Sequence, residues 1–239
     1  MKILLTRPQG RNQSMTESLT QKGIPFLVTP LLAVSALTQQ ASASLATADI
    51  IIFISTNAVK YVAPPVNGWP TDCQFYAVGD ATLQSLQKLG FNAIGTPADN
   101  QQTEGLLSLP GLQPDVVTNK NIVIVRGVGG RETLAQQLSD YGAHVSYCEV
   151  YRRHCPEYDK SAVLQDWQQF GIDTIVLTSG EALTNLLSLI SEENFSWLQA
   201  CHIIVPSIRV QQQAHEAGLS FVLNAGAAND AAILKALSL

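Results

Sequence analysis

Short runs of isoleucine, valine and leucine punctuate this chain, and polar stretches with helical periodicity fill the gaps. The runs predict ten strands, at Ile3–Thr6, Phe26–Thr29, Ile50–Ser55, Phe75–Val78, Ala93–Gly95, Ile122–Arg126, His144–Tyr151, Thr174–Thr178, His202–Pro206 and Phe221–Leu223. They are near-continuous in aliphatic residues, as strands buried on both faces are. Between them, Thr82–Leu89 places Leu83, Leu86 and Leu89 at helical spacing, and Leu134–Tyr141 does the same. Gly23, Gly90, Gly142 and Gly218 stand where helices should end, because glycine accepts the left-handed turn that closes a helix. Strands alternating with helices over short connections predict an α/β fold, with parallel sheets flanked by helices.

The pattern also repeats itself, in interleaved order. Lys2–Val34 reads like Asn121–Arg153: a buried strand ends in Arg7 or Arg126, a helix closes at Gly23 or Gly142, and a second strand follows. Asp49–Leu107 reads in the same loose way like Asp173–Leu234, with DIIIFISTNAV matching DTIVLTSGEAL. A duplicated α/β unit predicts two similar lobes of five strands each, and ligands favour the cleft between lobes. The four segments can be paired in two ways. In one, the first and second halves of the chain are the lobes. In the other, the two middle segments form a central lobe and the chain ends form the second, with Leu31–Leu37 and Val150–Pro156 as extended crossings. Periodicity leaves both open.

Composition narrows the class. Of 239 residues, 46% are hydrophobic and 14% charged, which is globular rather than disordered. Apolar runs such as Ile50–Ile54 are too short to span a bilayer, so no membrane association is expected. Met1-Lys2 runs straight into a strand without a signal-peptide pattern, and the cytoplasm is the expected compartment. A net charge of −5 argues against nucleic acid, which calls for a basic stripe. Cys73, Cys148, Cys155 and Cys201 form no CxxC pair and read as reduced thiols. His144, Cys148 and His154 would share a face of a strand, but structural zinc uses tighter spacing, and no metal is expected.

Candidate chemistry gathers at the strand-to-helix corners. Ser55-Thr56-Asn57 and Ser179-Gly180-Glu181 lie at equivalent places, as do, more loosely, Gly79-Asp80-Ala81-Thr82 and Ser207-Ile208-Arg209-Val210. Ligands of parallel α/β sheets bind beyond the carboxyl ends of the strands, and free N–H groups at helix starts favour anions there. The same residues are ordinary helix caps, which explains any single corner. Arg7 and Arg126 end equivalent strands and Arg131 follows the second; their planar forks suit carboxylates, or a salt bridge between loops. The corner Arg126-Gly127-Val128-Gly129-Gly130-Arg131-Glu132 hints at dinucleotide binding. Its spacing is GxGG rather than GxGxxG, with Glu132 where the third glycine belongs, so no nucleotide cofactor is expected. Tyr151 could donate a proton into a cleft, although its position alone suits a packing aromatic with a satisfied hydroxyl.

Six short motifs, LLTRP at Leu4–Pro8, IIFISTNAV at Ile51–Val59, YAVGDATL at Tyr76–Leu83, TEGLL at Thr103–Leu107, IVRGVGGRETL at Ile124–Leu134 and CEVYRR at Cys148–Arg153, occur in the order seen in uroporphyrinogen-III synthases. The resemblance spans essentially the whole chain. It implies two α/β lobes, each with a parallel five-stranded sheet and flanking helices, joined by a two-stranded antiparallel linker. It selects the second pairing: residues 1–34 with 157–239 as the terminal lobe, 38–150 as the central lobe, and crossings near 31–37 and 150–156. It implies cofactor-free cyclisation of the linear tetrapyrrole hydroxymethylbilane, with inversion of the last pyrrole ring and loss of water. Tyr151 matches the family's proposed proton donor, Thr82 a threonine of the same cleft, and Ser55 a small polar residue at the first corner. The substrate carries eight carboxylates, so the task is mainly to impose a fold on a flexible polyanion. That suits Arg7, Arg126 and Arg131, together with Asn57, Gly79, Ser179, Gly180 and Ser207 at the corners, and it needs no metal. The expected protein is a monomer in transient contact with porphobilinogen deaminase. Ser207-Ile208-Arg209-Val210 lacks the glycine and paired threonines common in the family, so contacts at that corner should differ. The competing class, a bilobal receptor-type binding module, would need a signal peptide or a DNA-binding helix pair.

Overall fold

The computed structural model describes residues 1–37, 43–65 and 68–239. The chain divides into two compact units, Met1–Val34 with His154–Leu239, and Ser35–Arg153. The start of the central lobe at residue 38 lies outside the described residues. The strands are β1 (Ile3–Leu5), β2 (Phe26–Val28), β3 (Ala33–Ala36), β4 (Ile50–Phe53), β5 (Gln74–Ala77), β6 (Ala93–Gly95), β7 (Asn121–Gly127), β8 (His144–His154), β9 (Thr174–Val176), β10 (His202–Val205) and β11 (Val222–Asn224). The helices are α1 (Gln13–Gln21), α2 (Ala43–Ala46), α3 (Thr56–Tyr61), α4 (Asp80–Lys88), α5 (Thr103–Leu107), α6 (Pro114–Val117), α7 (Thr133–Asp140), α8 (Lys160–Phe170), α9 (Gly180–Leu189), α10 (Phe195–Ala200), α11 (Ile208–Glu216) and α12 (Asp230–Ala236).

One sheet runs β11-β10-β9-β1-β2 and the other β3-β8-β7-β4-β5-β6. Set in equivalent positions, β6-β5-β4-β7-β8 repeats β11-β10-β9-β1-β2, so the duplication seen in the sequence is a duplication of topology. The ten expected strands are all present, and their pairings are parallel, for example Ile3↔Phe26, Ile3↔Thr174 and Ile50↔Ile122. The expectation of five strands in each sheet is corrected in one place. The crossing at Leu31–Leu37 contains β3, which joins the edge of the second sheet beside β8. Its alternation is too short to register as a strand run, and Pro30 just before it reads as a breaker. The second crossing is the far end of β8, eleven residues long. The last expected strand is displaced by one residue, to Val222–Asn224; Phe221 before it is 57% exposed, places its ring near His202 and accepts the Ile203 N–H at 2.8 Å through its carbonyl.

Burial follows the aliphatic runs. Ile50, Ile51, Ile52 and Phe53 of β4 are 0–3% exposed, because a central parallel strand is covered on both faces. In the first unit one face packs Leu4, Ile175, Ile203 and Trp167, and the other packs Ile3, Leu5, Val176 and Met15. In the second unit Ile50, Ile52, Ile122 and Ile124 meet Leu134 and Leu138 of α7. Each such side chain contributes roughly 1.5–3 kcal/mol on full burial. The outcome is a stiff platform whose strand ends present loops at one rim of each sheet. Among the described residues, no helix is long and apolar enough to cross a membrane.

Candidate active site

In the second unit the strand order reverses between β4 and β7, the place where open α/β sheets hold ligands. Two of the expected residues meet there. Ser55 follows β4 and caps α3; its Oγ accepts the Ala58 N–H at 3.1 Å and lies 3.0 Å from the Tyr151 hydroxyl. A hydroxyl has one donor and two acceptor sites, so one serine serves the helix and the phenol together. Tyr151 is 7% exposed, and its ring lies 6.1 Å from that of Tyr61 on α3.

A β-bulge aims Tyr151 at this corner. Arg126 pairs with Glu149 but Gly127 pairs with Tyr151, so β8 carries one extra residue here. Such a bulge re-aims a side chain. The ring then rests on Gly127: a Cβ there would stand 2.4 Å from Tyr151 Cε2 and 2.6 Å from Cζ. The Val128 N–H donates to the Tyr151 carbonyl at 2.9 Å. Gly127 thus serves the phenol. The sequence had drawn attention to it as part of a nucleotide-like corner and of a family motif, in neither case as a seat for Tyr151, and Tyr61 carried no signal beyond its place on α3.

Arg126 lies beneath the same corner, 2% exposed. Its guanidinium donates to the carbonyls of Gly127 and Gly129 and sits 4.5 Å above the Tyr147 ring. Glu149 accepts the Gly129 N–H at 3.3 Å, occupying a donor that a pyrophosphate would need. Arg131 is exposed. Gly79 adopts φ +79°, where other residues are strained, and its N–H donates to Thr96 Oγ1 at 3.1 Å. Thr82, one turn into α4, is buried at 4% exposure, and Asn57 is half-buried at the start of α3.

The remaining expected residues belong to the first unit. Ser179 and Ser207 cap α9 and α11 with nearly the backbone angles of Ser55, accepting the N–H groups of Ala182 at 3.1 Å and Val210 at 3.4 Å. Gly180 permits close approach: a Cβ would meet Gln213 Oε1 at 2.7 Å. Arg7 is committed internally, paired with Asp230 and donating to the Ala228 carbonyl at 2.5 Å. His144, Cys148 and His154 form no group of potential metal ligands among the described residues.

The fold and site together define a duplicated α/β protein with a phenol–serine pair at the switch point of its second sheet. Comparison with known proteins gives the family. The uroporphyrinogen-III synthase HemD family model matches residues 13–235. The uroporphyrinogen-III synthase of Salmonella typhimurium is 32% identical over 99% of this chain and 100% of its own length, and that of Escherichia coli K12 is 33% identical over the same shares. Among solved structures, the uroporphyrinogen-III synthetase of Helicobacter pylori superposes with a TM-score of 0.61 at 16% identity, covering 90% of this chain and 93% of that one. A Thermus thermophilus uroporphyrinogen III synthase mutant gives 0.57 at 15% identity, covering 100% and 99%. The chain belongs to the uroporphyrinogen-III synthase family.

Proposed function

We propose that Tyr151, held by Ser55 and seated on Gly127, is the proton donor of this enzyme. The chain is a lyase of the uroporphyrinogen-III synthase type. It cyclises the linear tetrapyrrole hydroxymethylbilane to uroporphyrinogen III, inverting the last pyrrole ring and releasing water. Departure of the hydroxymethyl oxygen as water needs a proton, and a positioned side chain supplies it within hydrogen-bond reach. The observation that carries the assignment is the 3.0 Å contact between Tyr151 and Ser55 at the point where the sheet order reverses. After the phenol has given up its proton, the Ser55 hydroxyl can donate to the phenolate oxygen, because its lone pairs also accept from α3.

The rest of the work is positioning. The substrate's carboxylates call for cations and N–H donors, and the same rim carries Arg126, Arg131, Gly79, Thr82 and Asn57. Ser179, Gly180 and Ser207 are proposed as further polar contacts. Arg7, already neutralised by Asp230, is assigned to structure. We propose a cytoplasmic monomer that meets porphobilinogen deaminase transiently. None of its four cysteines is in a disulfide, in keeping with a reducing compartment. Sedimentation alone and with the deaminase would check both the monomer and the contact.

Isomer analysis tests the central assignment. Hydroxymethylbilane is generated in situ by a porphobilinogen deaminase, the protein is added, and the oxidised uroporphyrins are separated. The wild type yields isomer III. Tyr151→Phe stays folded and yields it far more slowly, leaving isomer I from spontaneous closure. A Tyr151→Phe variant with wild-type turnover removes Tyr151 from the chemistry.

A further inference from the structure

We propose that a small cavity beside Arg126 takes one carboxylate arm of the substrate, of acetate or propionate size. This rests on the substrate reading above and deepens it. The cavity holds about 190 Å³ and lies wholly within the second unit. Ile54, Val78 and Leu134 give it apolar walls, and Thr103, Arg126 and Arg131 line it with polar groups. It is far too small for a tetrapyrrole, but a short methylene stem ending in a carboxylate matches it in size and chemistry.

The charge balance points to an anion. Arg126 is 2% exposed, and its partners are neutral: two backbone carbonyls and the face of Tyr147. Among the described residues no carboxylate pairs with it, and Glu149 is engaged by the Gly129 N–H. Carbonyl dipoles solvate a buried guanidinium without neutralising it, and a buried unpaired charge is costly.

The duplication shows the neutralised form of the same corner. Arg7 stands where Arg126 stands, Thr178 where Ile54 stands, and Asp230, the first residue of α12, where Thr103 opens α5. Arg7, Thr178 and Asp230 together line a cavity of the first unit, and there Arg7 is paired with Asp230. Where the first unit supplies its own carboxylate, the second offers only a hydroxyl. A ligand carboxylate at that point would complete the ion pair that Asp230 completes in the repeat. Arg131, exposed and in no ion pair among the described residues, lines the same cavity and supplies a second cation.

The test installs the missing aspartate. Thr103→Asp should pair with Arg126 and keep the thermal midpoint at or above that of the wild type. It should raise KM for hydroxymethylbilane roughly ten- to a hundredfold, the loss of a charge-assisted contact, with kcat within twofold. Ala135→Leu, which fills the cavity from α7 without touching the loop, should raise KM in the same direction. The direct probe is sodium propionate at constant ionic strength. The Arg126 Nε–Hε resonance of the wild type should shift saturably, and that of Thr103→Asp should not. An unchanged KM in folded Thr103→Asp, or no saturable shift in the wild type, overturns the proposal. Isomer analysis of the wild type judges the substrate reading separately: if only isomer I forms, that reading fails, while the propionate titration still decides the cavity.

Discussion

Replacing Gly127 with alanine adds one methyl group and should disable Tyr151 as effectively as removing its hydroxyl. Gly127 is not among the glycines at positive φ, so its backbone accepts alanine and the effect is steric. The new Cβ would stand 2.4 Å from Tyr151 Cε2, whereas carbons rest at about 3.5–4.0 Å. The ring must therefore move by about 1 Å. The Ser55 contact of 3.0 Å would stretch beyond hydrogen-bond range, and an error of this size in a reacting group costs about a hundredfold in rate. Overpacking of this kind costs roughly 1–3 kcal/mol of stability, so the variant should remain folded. Formation of isomer III would be measured for Gly127→Ala, Tyr151→Phe and the double variant, with urea unfolding alongside. If the methyl acts only through the phenol, the double variant is scarcely slower than Tyr151→Phe, because there is no hydroxyl left to misplace. Wild-type turnover in Gly127→Ala, or fully multiplicative losses in the double variant, would refute the seat assigned to Gly127.

Further expectations separate site from scaffold. Ser55→Ala and Asp159→Ala each remove a helix cap and should each lower the urea midpoint, but only Ser55→Ala should slow isomer III formation; equal rates would detach Ser55 from the site. Thr29→Val leaves the buried Trp167 indole N–H without the Thr29 Oγ1 it donates to at 3.0 Å, and urea unfolding should show a loss of about 1–3 kcal/mol with turnover unchanged. Burial pushes the Cys73 and Cys201 thiols up to about 11, so native alkylation at pH 8 should be slow at both and become fast in urea. Asp173 is pushed up by burial but more than offset by the Lys2 N–H and the Thr174 hydroxyl, which leave it below the ordinary carboxylate value of 3.8. Because the folded pKa is the lower one, this stabilisation is complete above the unfolded value and disappears as pH falls through the folded one. Asp173→Asn should therefore flatten the stability profile below about pH 4, and an unchanged acid limb would show that the carboxylate contributes nothing.

The fold was legible because parallel strands covered on both faces need unbroken aliphatic runs, and Ile50–Phe53 or Ile122–Val125 satisfy that need wherever they sit. Strand β3 was not legible: Ala33–Ala36 is short, half-buried and preceded by Pro30, and only its neighbour β8 makes it a strand. At the site, Ser55 was marked by its repeat partner Ser179 and Tyr151 by family likeness. What joins them was hidden. The bulge between Arg126 and Gly127 depends on a register shift of one residue, and no composition or period reports a register. Arg7 and Arg126 read alike in sequence, yet one is neutralised by Asp230, more than two hundred positions away, and the other is not.

That last contrast shows how a duplicated fold comes to carry chemistry in one half. Both units keep the serine cap after the equivalent strand, with nearly equal backbone angles at Ser55 and Ser179, so the cap alone does not make a site. The difference lies in the neighbouring strand pair. In the first unit Pro8 stands in the place of Gly127 and Leu32 in the place of Tyr151. Proline has no N–H to donate to a ladder, and β1 and β2 end after three residues each. In the second unit glycine allows β7 to run seven residues and β8 eleven, which carries the ladder up to the rim and lays a phenol against a bare Cα. Extending the pair and unpairing the arginine are separate changes, yet they converge on one corner, beside the same reversal of strand order. The first unit, with its proline stop and its Arg7–Asp230 pair, keeps the same scaffold in a form with neither the phenol nor the unneutralised arginine.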